Sequence, residues 1–365
     1  MNVPLKILIA YEPFPPIAFD LQEAFEQLGM ETKLFTTPDY EHWFYKKVIK
    51  RVNKLARNLR LIKKDHDLFL NHPLNRLNYL SSHFQKVYDG FQPDLVFFIH
   101  GQPYANHILA NISVPKIAWW IEPNDDINEL RIKAEPFDIY NSFSQRTIDL
   151  LNEEGFSTGY LCHAVNPRSF YPSSNENHKY DVAFVGNWSP WREEVLKTVL
   201  GVTKNVALYG PHWKKKSAIP SVDFDRIYKG KQVLGAELNQ LFNSAKIVLN
   251  ASRIYGSSGL NMRFFEAPAS GACFLTDLAP ELERHFEPGQ HLSVFTDQED
   301  LALKVNQLLE NNELRDEIRK NGYSLVLQNY TYQQLAKQLL DQYESVLVQR
   351  DSFKGAPFSA EKLVS

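Results

Sequence analysis

The run Ala245-Lys-Ile-Val-Leu-Asn250, Ala-Ser-Arg-Ile-Tyr-Gly-Ser-Ser-Gly259, Leu-Asn-Met-Arg263-Phe-Phe-Glu266, Ala-Pro-Ala-Ser-Gly271 sets an apolar strand, a Gly/Ser loop and a helix in direct succession. The strand is expected over residues 247–250 and the helix over 262–269. A helix start offers N–H groups without intrahelical partners, and a glycine beside it leaves room for an anion. Arg263 in the first turn adds positive charge, and Glu266, about one turn further on the same side, is placed to accept two ribose hydroxyls. The pattern reads as a diphosphate site. On residue types alone, a surface loop with a solvated Arg and Glu fits equally well.

Outward from this run the same alternation repeats. Strands are expected at 181–185, 207–209, 273–276 and 291–295, and helices at 192–200, 236–244, 299–310 and 313–327. The N-terminal half opens with a strand at 5–11, a helix at 20–28 closed by Gly29, and a strand at 33–36; further strands follow at 95–99, 117–121, 139–140 and 159–162. These runs lack polar alternation, which indicates parallel sheets covered on both faces. Residues 166–179 are rich in turn formers and read as a linker. The expected class is α/β, with two doubly wound halves.

At 365 residues the chain exceeds what one core supports efficiently. A net charge of -3 supplies no global field toward nucleic acid or anionic lipid, and two cysteines, Cys162 and Cys273, without metal-ligand spacing argue against a disulfide framework or zinc site. The cysteine usage points to a reducing cytoplasm, residues 1–10 read as a first strand rather than a leader, and with no stretch long enough to span a bilayer any membrane contact is expected to be peripheral.

The strand–loop–helix run, with Leu275-Thr-Asp277 and Glu281-Leu after it, is similar to the C-terminal half of the spore-maturation CgeB-like glycosyltransferases, within the wider group-1 GT-B transferases. Asp181-Val-Ala-Phe-Val-Gly186-Asn-Trp-Ser-Pro-Trp-Arg192 resembles their first C-domain strand and following loop. Leu208-Tyr-Gly210-Pro-His-Trp213 and Tyr228-Lys-Gly230 resemble two further landmarks, so the likeness covers residues 181–330. It implies a GT-B fold: two Rossmann-like domains facing a central cleft, with a C-terminal helix crossing back. The corresponding division is an acceptor domain at 1–170, a nucleotide-sugar domain at 171–331, a returning helix at 332–350 and a flexible tail at 351–365. The implied activity is metal-independent transfer of a sugar from a nucleotide-sugar, by default a UDP-sugar, to an unknown acceptor, with no further cofactor. Glu266 would hold the ribose, Arg192 and Arg263 the phosphates, and the backbone of Gly259, Leu260 and Asn261 the diphosphate. Gly186 and Asn187 line the first loop, and Tyr228 to Gly230 lie near the base. One departure stands out: Ser258 occupies the place where related retaining enzymes carry a glutamate eight positions before the second.

The N-terminal half resembles the family through Pro93-Asp94 before a strand that ends at His100, and through Trp119-Trp-Ile-Glu122-Pro-Asn-Asp-Asp126. His100, Glu122 and Asp126 are the catalytic candidates, since open α/β sheets bind ligands at strand carboxyl ends and a carboxylate in reach of an acceptor hydroxyl can take its proton. A GT-B epimerase and a non-catalytic sugar-binding protein are the alternatives.

Other signals are weaker. Asp223-Phe-Asp225 has the D-x-D form of a metal site but is a common tripeptide. Residues 46–64 hold nine Lys/Arg and no acid, with Val48, Ile49, Val52, Leu55, Leu59 and Ile62 as an apolar stripe. The simplest expectation is a packed helix with a solvated cationic face; peripheral membrane or acceptor contact is the alternative, and nucleic acid is not expected.

Overall fold

The computed structural model describes residues 3–11, 16–36, 42–63, 66–99, 104–122, 124, 126–173, 178–252 and 259–355. The chain forms two compact units: 1–142, 148–161 and 335 onward make the first, and 143–147 with 162–334 the second.

The first unit carries β1 (Lys6–Tyr11), α1 (Ile17–Gln27), β2 (Glu31–Thr36), a π-helical turn (Tyr45–Ile49) running into α2 (Lys50–Asn58), and α3 (Arg76–Phe91). β3 (Leu95–Ile99), α4 (Asn106–Ala110), β4 (Lys116–Trp120), α5 (Ile127–Ala134), β5 (Ile139–Ser142), α6 (Gln145–Glu153) and β6 (Thr158–Tyr160) complete it, α6 beginning within 143–147. Its six-stranded sheet runs β2-β1-β3-β4-β5-β6, with every pairing parallel. All five residues of β3 are buried, as a strand covered on both faces requires. Residues 335 onward of α15 (Tyr332–Gly355) pack with this unit: Gln342 exchanges hydrogen bonds of 2.9 and 2.8 Å with Asn141, and Arg350 pairs with Asp138 at 2.8 Å.

The second unit has β7 (Tyr180–Val185), α7 (Pro190–Val202), β8 (Val206–Tyr209), α8 (Trp213–Lys216), α9 (Ser221–Ile227), β9 (Tyr228–Gly230) and α10 (Gly235–Asn243). β10 (Ala245–Asn250), α11 (Arg263–Ala269), β11 (Phe274–Asp277), α12 (Leu282–His285), β12 (Ser293–Phe295), α13 (Gln298–Glu310) and α14 (Asn312–Asn329) follow. Its parallel sheet runs β12-β11-β10-β7-β8-β9. Alternate residues of one strand enter different cores: Ala183 and Val248 join Phe264 and Phe265 of α11, while Val182, Phe184, Ile247 and Leu249 join Val195 of α7 and Leu301 of α13. That two-residue period places helices on both faces and makes the sheet doubly wound.

Several sequence readings shift. The helix expected from residue 20 begins at Ile17, because the Pro16 ring already holds φ at -59°. The strand expected at 291–295 shortens to β12, and 228–230, not among the expected strands, is the edge strand β9. The basic segment is not one helix over 46–64. α2 ends at Asn58 in a left-handed turn at Arg60 (φ 58°), where Leu61 N donates to Ala56 O at 2.9 Å and Arg60 N to Arg57 O at 3.0 Å. Its stripe is not packed as expected either. Ile49, Asn53 and Ala56 face inward, while Leu55 and Leu59 are 59% and 60% exposed. In α15, Leu335, Leu339 and Val346 are buried but Leu347 is 37% exposed, one residue further around the helix.

Candidate functional site

In a doubly wound sheet the strand order reverses at one point, and the loops leaving the two strands there diverge and open a crevice. In the second unit that point lies between β7 and β10, because the chain winds from β7 to β8 and β9 on one side and from β10 to β11 and β12 on the other. The residues quoted from the sequence gather at this edge.

Arg192 spans the reversal. Ser189 caps α7 by accepting from Arg192 N at 3.2 Å, with Pro190 in the first turn, which fixes the helix start one residue off the β7 loop. The Arg192 guanidinium donates to Ala251 O after β10 (3.0 Å) and to Asn187 O after β7 (3.0 Å), and the residue is 6% exposed. Its charge, assigned to phosphate by the family likeness, is here engaged in tying the two loops together.

Beneath the loop after β10 lies a buried polar network. The Asp277 carboxylate, at the end of β11, accepts from Ser252 N at 2.7 and 3.0 Å, from Ser252 Oγ at 2.8 Å and from Trp191 Nε1 at 3.0 Å. Asn250 Nδ2 donates to Thr276 Oγ1 at 3.0 Å, and Asn261 Nδ2 donates to Asn250 Oδ1 at 3.3 Å while Asn261 Oδ1 accepts from Arg263 N at 3.0 Å. The loop is thus held at both ends. Residues 253–258, including Ser258, lie outside the described residues. Gly259 is required by close approach: a Cβ there would meet the Phe143 ring at 2.2 Å and its carbonyl at 2.5 Å, so the space expected to admit an anion belongs to Phe143.

At the start of α11, Arg263 Nη1 donates to Glu266 Oε2; Glu266 is 5% exposed, and Arg263 Nε has no hydrogen-bond partner among the described residues. α11 has only seven residues, so its dipole is modest and positive charge at this place comes mainly from the Arg263 side chain.

The loops after β7, β8 and β9 form the neighbouring wall. Gly186 O accepts from Trp213 Nε1 at 2.8 Å, Gly210 N donates to Gly230 O at 2.9 Å, and Tyr228 OH to Gly210 O at 3.3 Å. A Cβ on Gly210, whose φ is 154°, would lie 1.8 Å from Gly186 O. Trp188 Nε1 donates to Glu193 Oε2 at 2.6 Å, and Ala218 N to Glu193 Oε1 at 3.0 Å. Burial works to raise the Glu193 carboxyl, but these bonds and Lys197 outweigh it and hold it below its ordinary value.

Gly186, Asn187, Arg192, Gly259, Leu260, Asn261, Arg263 and Glu266 therefore share one sheet edge with Tyr228 and Gly230. The catalytic candidates are placed otherwise. Asp126 caps α5, accepting from Asn128 N at 3.0 Å and Glu129 N at 3.4 Å; Glu122 is exposed just past β4; His100 lies outside the described residues. Asp223 pairs with Lys204 at 3.0 Å, and no metal-holding group of His, Cys, Asp or Glu occurs among the described residues. Sequence reasoning gave no role to Asp277, Ser252, Trp191 or Glu193. The signal for Asp277 was an acid at the end of a fully buried strand.

A sequence family described as glycosyl transferase-like matches residues 189–341, from the cap of α7 into α15. No curated protein matches the chain. Among solved structures, HepE of Anabaena, in complex with UDP and glucose, superposes with a TM-score of 0.61 at 14% identity over 93% of this chain and 100% of its own. Sucrose-phosphate synthase of Thermosynechococcus elongatus gives 0.64 at 12% identity, covering 94% and 100%. A glycosyltransferase of Rickettsia africae gives 0.64 at 10%, covering 95% and 99%. The chain therefore has the GT-B fold, and its residues 189–341 are glycosyltransferase-like in sequence.

Proposed function

We propose that the protein is a metal-independent glycosyltransferase of the CgeB-like type, whose second unit binds a UDP-sugar at the β7/β10 reversal. The observation that carries this reading is the Arg263–Glu266 pair beside the network of Asp277, Ser252 and Asn261. A buried carboxylate can accept two ribose hydroxyls, and a guanidinium can neutralise a diphosphate. The glycosyl transferase-like match spans these residues, and HepE, with the same fold, is seen with UDP-glucose.

Transfer then requires an acceptor hydroxyl to attack the anomeric carbon as the bond to the nucleoside diphosphate breaks, the proton passing to a base. Glu122 and Asp126 are the candidates for that base, Asp126 also accepting the N–H groups at the start of α5. Calorimetry with UDP, UDP-glucose and UDP-N-acetylglucosamine tests the donor. Binding of one or more that persists in EDTA is the expected result; binding of none, or binding restored only by manganese, contradicts it.

A further inference from the structure

In the first unit, residues 43–70 expose large apolar side chains among cations. Trp43, Leu55, Leu59, Leu61, Leu68 and Leu70 are 64%, 59%, 60%, 73%, 50% and 53% exposed, and all fall within 28 residues of sequence, 43–70. Interleaved with them, residues 46–63 carry eight Lys or Arg and no acid.

The local folding explains why this face stays outward. The inner side of α2 is fastened by polar bonds rather than by its leucines: Asn53 Nδ2 donates to Asp67 Oδ1 at 2.6 Å, Asn75 Nδ2 to Asp67 Oδ2 at 2.9 Å, and Leu68 N to Asn53 Oδ1 at 3.0 Å. Asp67, the nearest described acid, is thereby turned inward. The left-handed turn at Arg60 then directs Leu61 into solvent. Part of the stripe expected to pack, Val52, Leu55 and Leu59, is therefore on the outer surface, while Ile49 is buried.

We propose that this face, the outer side of α2 with residues 61–63 and 66–70, docks the first unit on an anionic bilayer. Isolated exposed leucines need no explanation, but six large apolar groups set among cations match an interfacial surface: cations meet lipid headgroups and the apolar groups enter the headgroup–acyl boundary. Charge complementarity selects an anionic lipid surface. RNA would use the cations and leave the leucines wet. Because the readout is lipid binding, the proposal stands or falls separately from sugar transfer.

The test is sedimentation of the full chain with vesicles of equimolar phosphatidylcholine and phosphatidylserine, and with phosphatidylcholine alone. Binding is expected to the anionic vesicles only, and to collapse in about 1 M salt, where the Debye length is about 3 Å. Each cation near such a surface multiplies partitioning about fivefold, so Arg51→Glu, Lys54→Glu and Lys63→Glu together should lower it about a hundredfold or more. Leu55→Ser, Leu59→Ser and Leu61→Ser should lower it about tenfold with the melting temperature unchanged, since these positions are exposed. Three outcomes overturn the proposal: no sedimentation at low salt, full binding by both variants, or a wild-type dimer that the leucine variant converts to monomer. Tighter binding to RNA than to vesicles at equal salt also overturns it.

Discussion

In the second unit, strands β7, β10 and β11 run up to Arg192, Glu193, Glu266, Asp277 and Glu281, each 8% exposed or less. The first unit, with a sheet of the same parallel winding, buries no Asp, Glu, Lys or Arg to that degree among the described residues; its buried polar groups are Asn53, Asn75, Ser81, Asn141 and Ser142. A doubly wound sheet needs no buried charge to fold; in the second unit Arg192, Glu193 and Asp277 are spent on tying loops together, and Arg315, 7% exposed, bonds to the Leu308 and Leu309 carbonyls. In the first unit the charge lies on the outside of α2, where it can face a large partner without desolvation. The proposed nucleotide site therefore draws on buried groups of the second unit, and the proposed docking face on exposed groups of the first.

The largest effects should come from breaking the second unit's edge. Arg192→Ala leaves the Ala251 and Asn187 carbonyls without this donor, costing about 1–3 kcal/mol for each if no water replaces it. Gly210→Ala forces a Cβ onto Gly186 O and should unfold the same edge. Urea denaturation with hydrogen exchange should show protection lost in 180–252 and retained in β1 and β3; a uniform loss would mean that the edge is not an independent feature. Asp277→Ala should cost about 1.5–3 kcal/mol through the bonds from Ser252 and Trp191.

A pH series sharpens the contrast. Burial pushes His163 down to about 4, and burial together with Arg284 pushes His285 down to about 4, both in the second unit. Each is neutral when folded but protonates near 6.5 when unfolded, so the unfolded state binds more protons between those values. Stability of the second unit should fall as pH drops from about 6.5 to 4, and His285→Gln should flatten that slope. An unchanged slope would exclude His285 as a contributor.

In the first unit, burial works to raise the Asp67 carboxyl, but hydrogen bonds from Phe69 N, Asn53 and Asn75 and the charge of Arg57 outweigh it and hold it low. Its contribution should be present above its unfolded value of 3.8 and lost as pH falls through the lower folded one. Asp67→Ala should therefore loosen α2 by about 1.5 kcal/mol at neutral pH while leaving the second unit untouched. The smallest effect expected is from Arg60→Gly, a gain of at most about 1 kcal/mol, because Gly adopts the left-handed turn without steric cost.

The fold was legible where periodicity is strong. The runs at 95–99 and 247–250 lack polar alternation because both faces are covered, and the spacing of helices between them dictated parallel winding. The Gly259 to Glu266 cluster was legible because glycine, charge and strand end coincide. What escaped was decided by partners distant in sequence: Asp277 gains its meaning from Ser252 and Trp191, and Gly259 from Phe143, 116 positions away. The α2 stripe misled because periodicity identifies an apolar face but not its partner, and a single polar lock through Asn53 and Asp67 turned that face outward.

The most direct test of the account is calorimetry of UDP and of uridine on wild type, Arg263→Ala and Glu266→Ala. The account predicts that Arg263→Ala weakens UDP by about tenfold or more and leaves uridine unchanged, since its partner is the diphosphate, whereas Glu266→Ala weakens both by about 1.5–3 kcal/mol through the ribose. Equal losses for both ligands in Arg263→Ala, or unchanged affinity in Glu266→Ala with the fold intact, would contradict it.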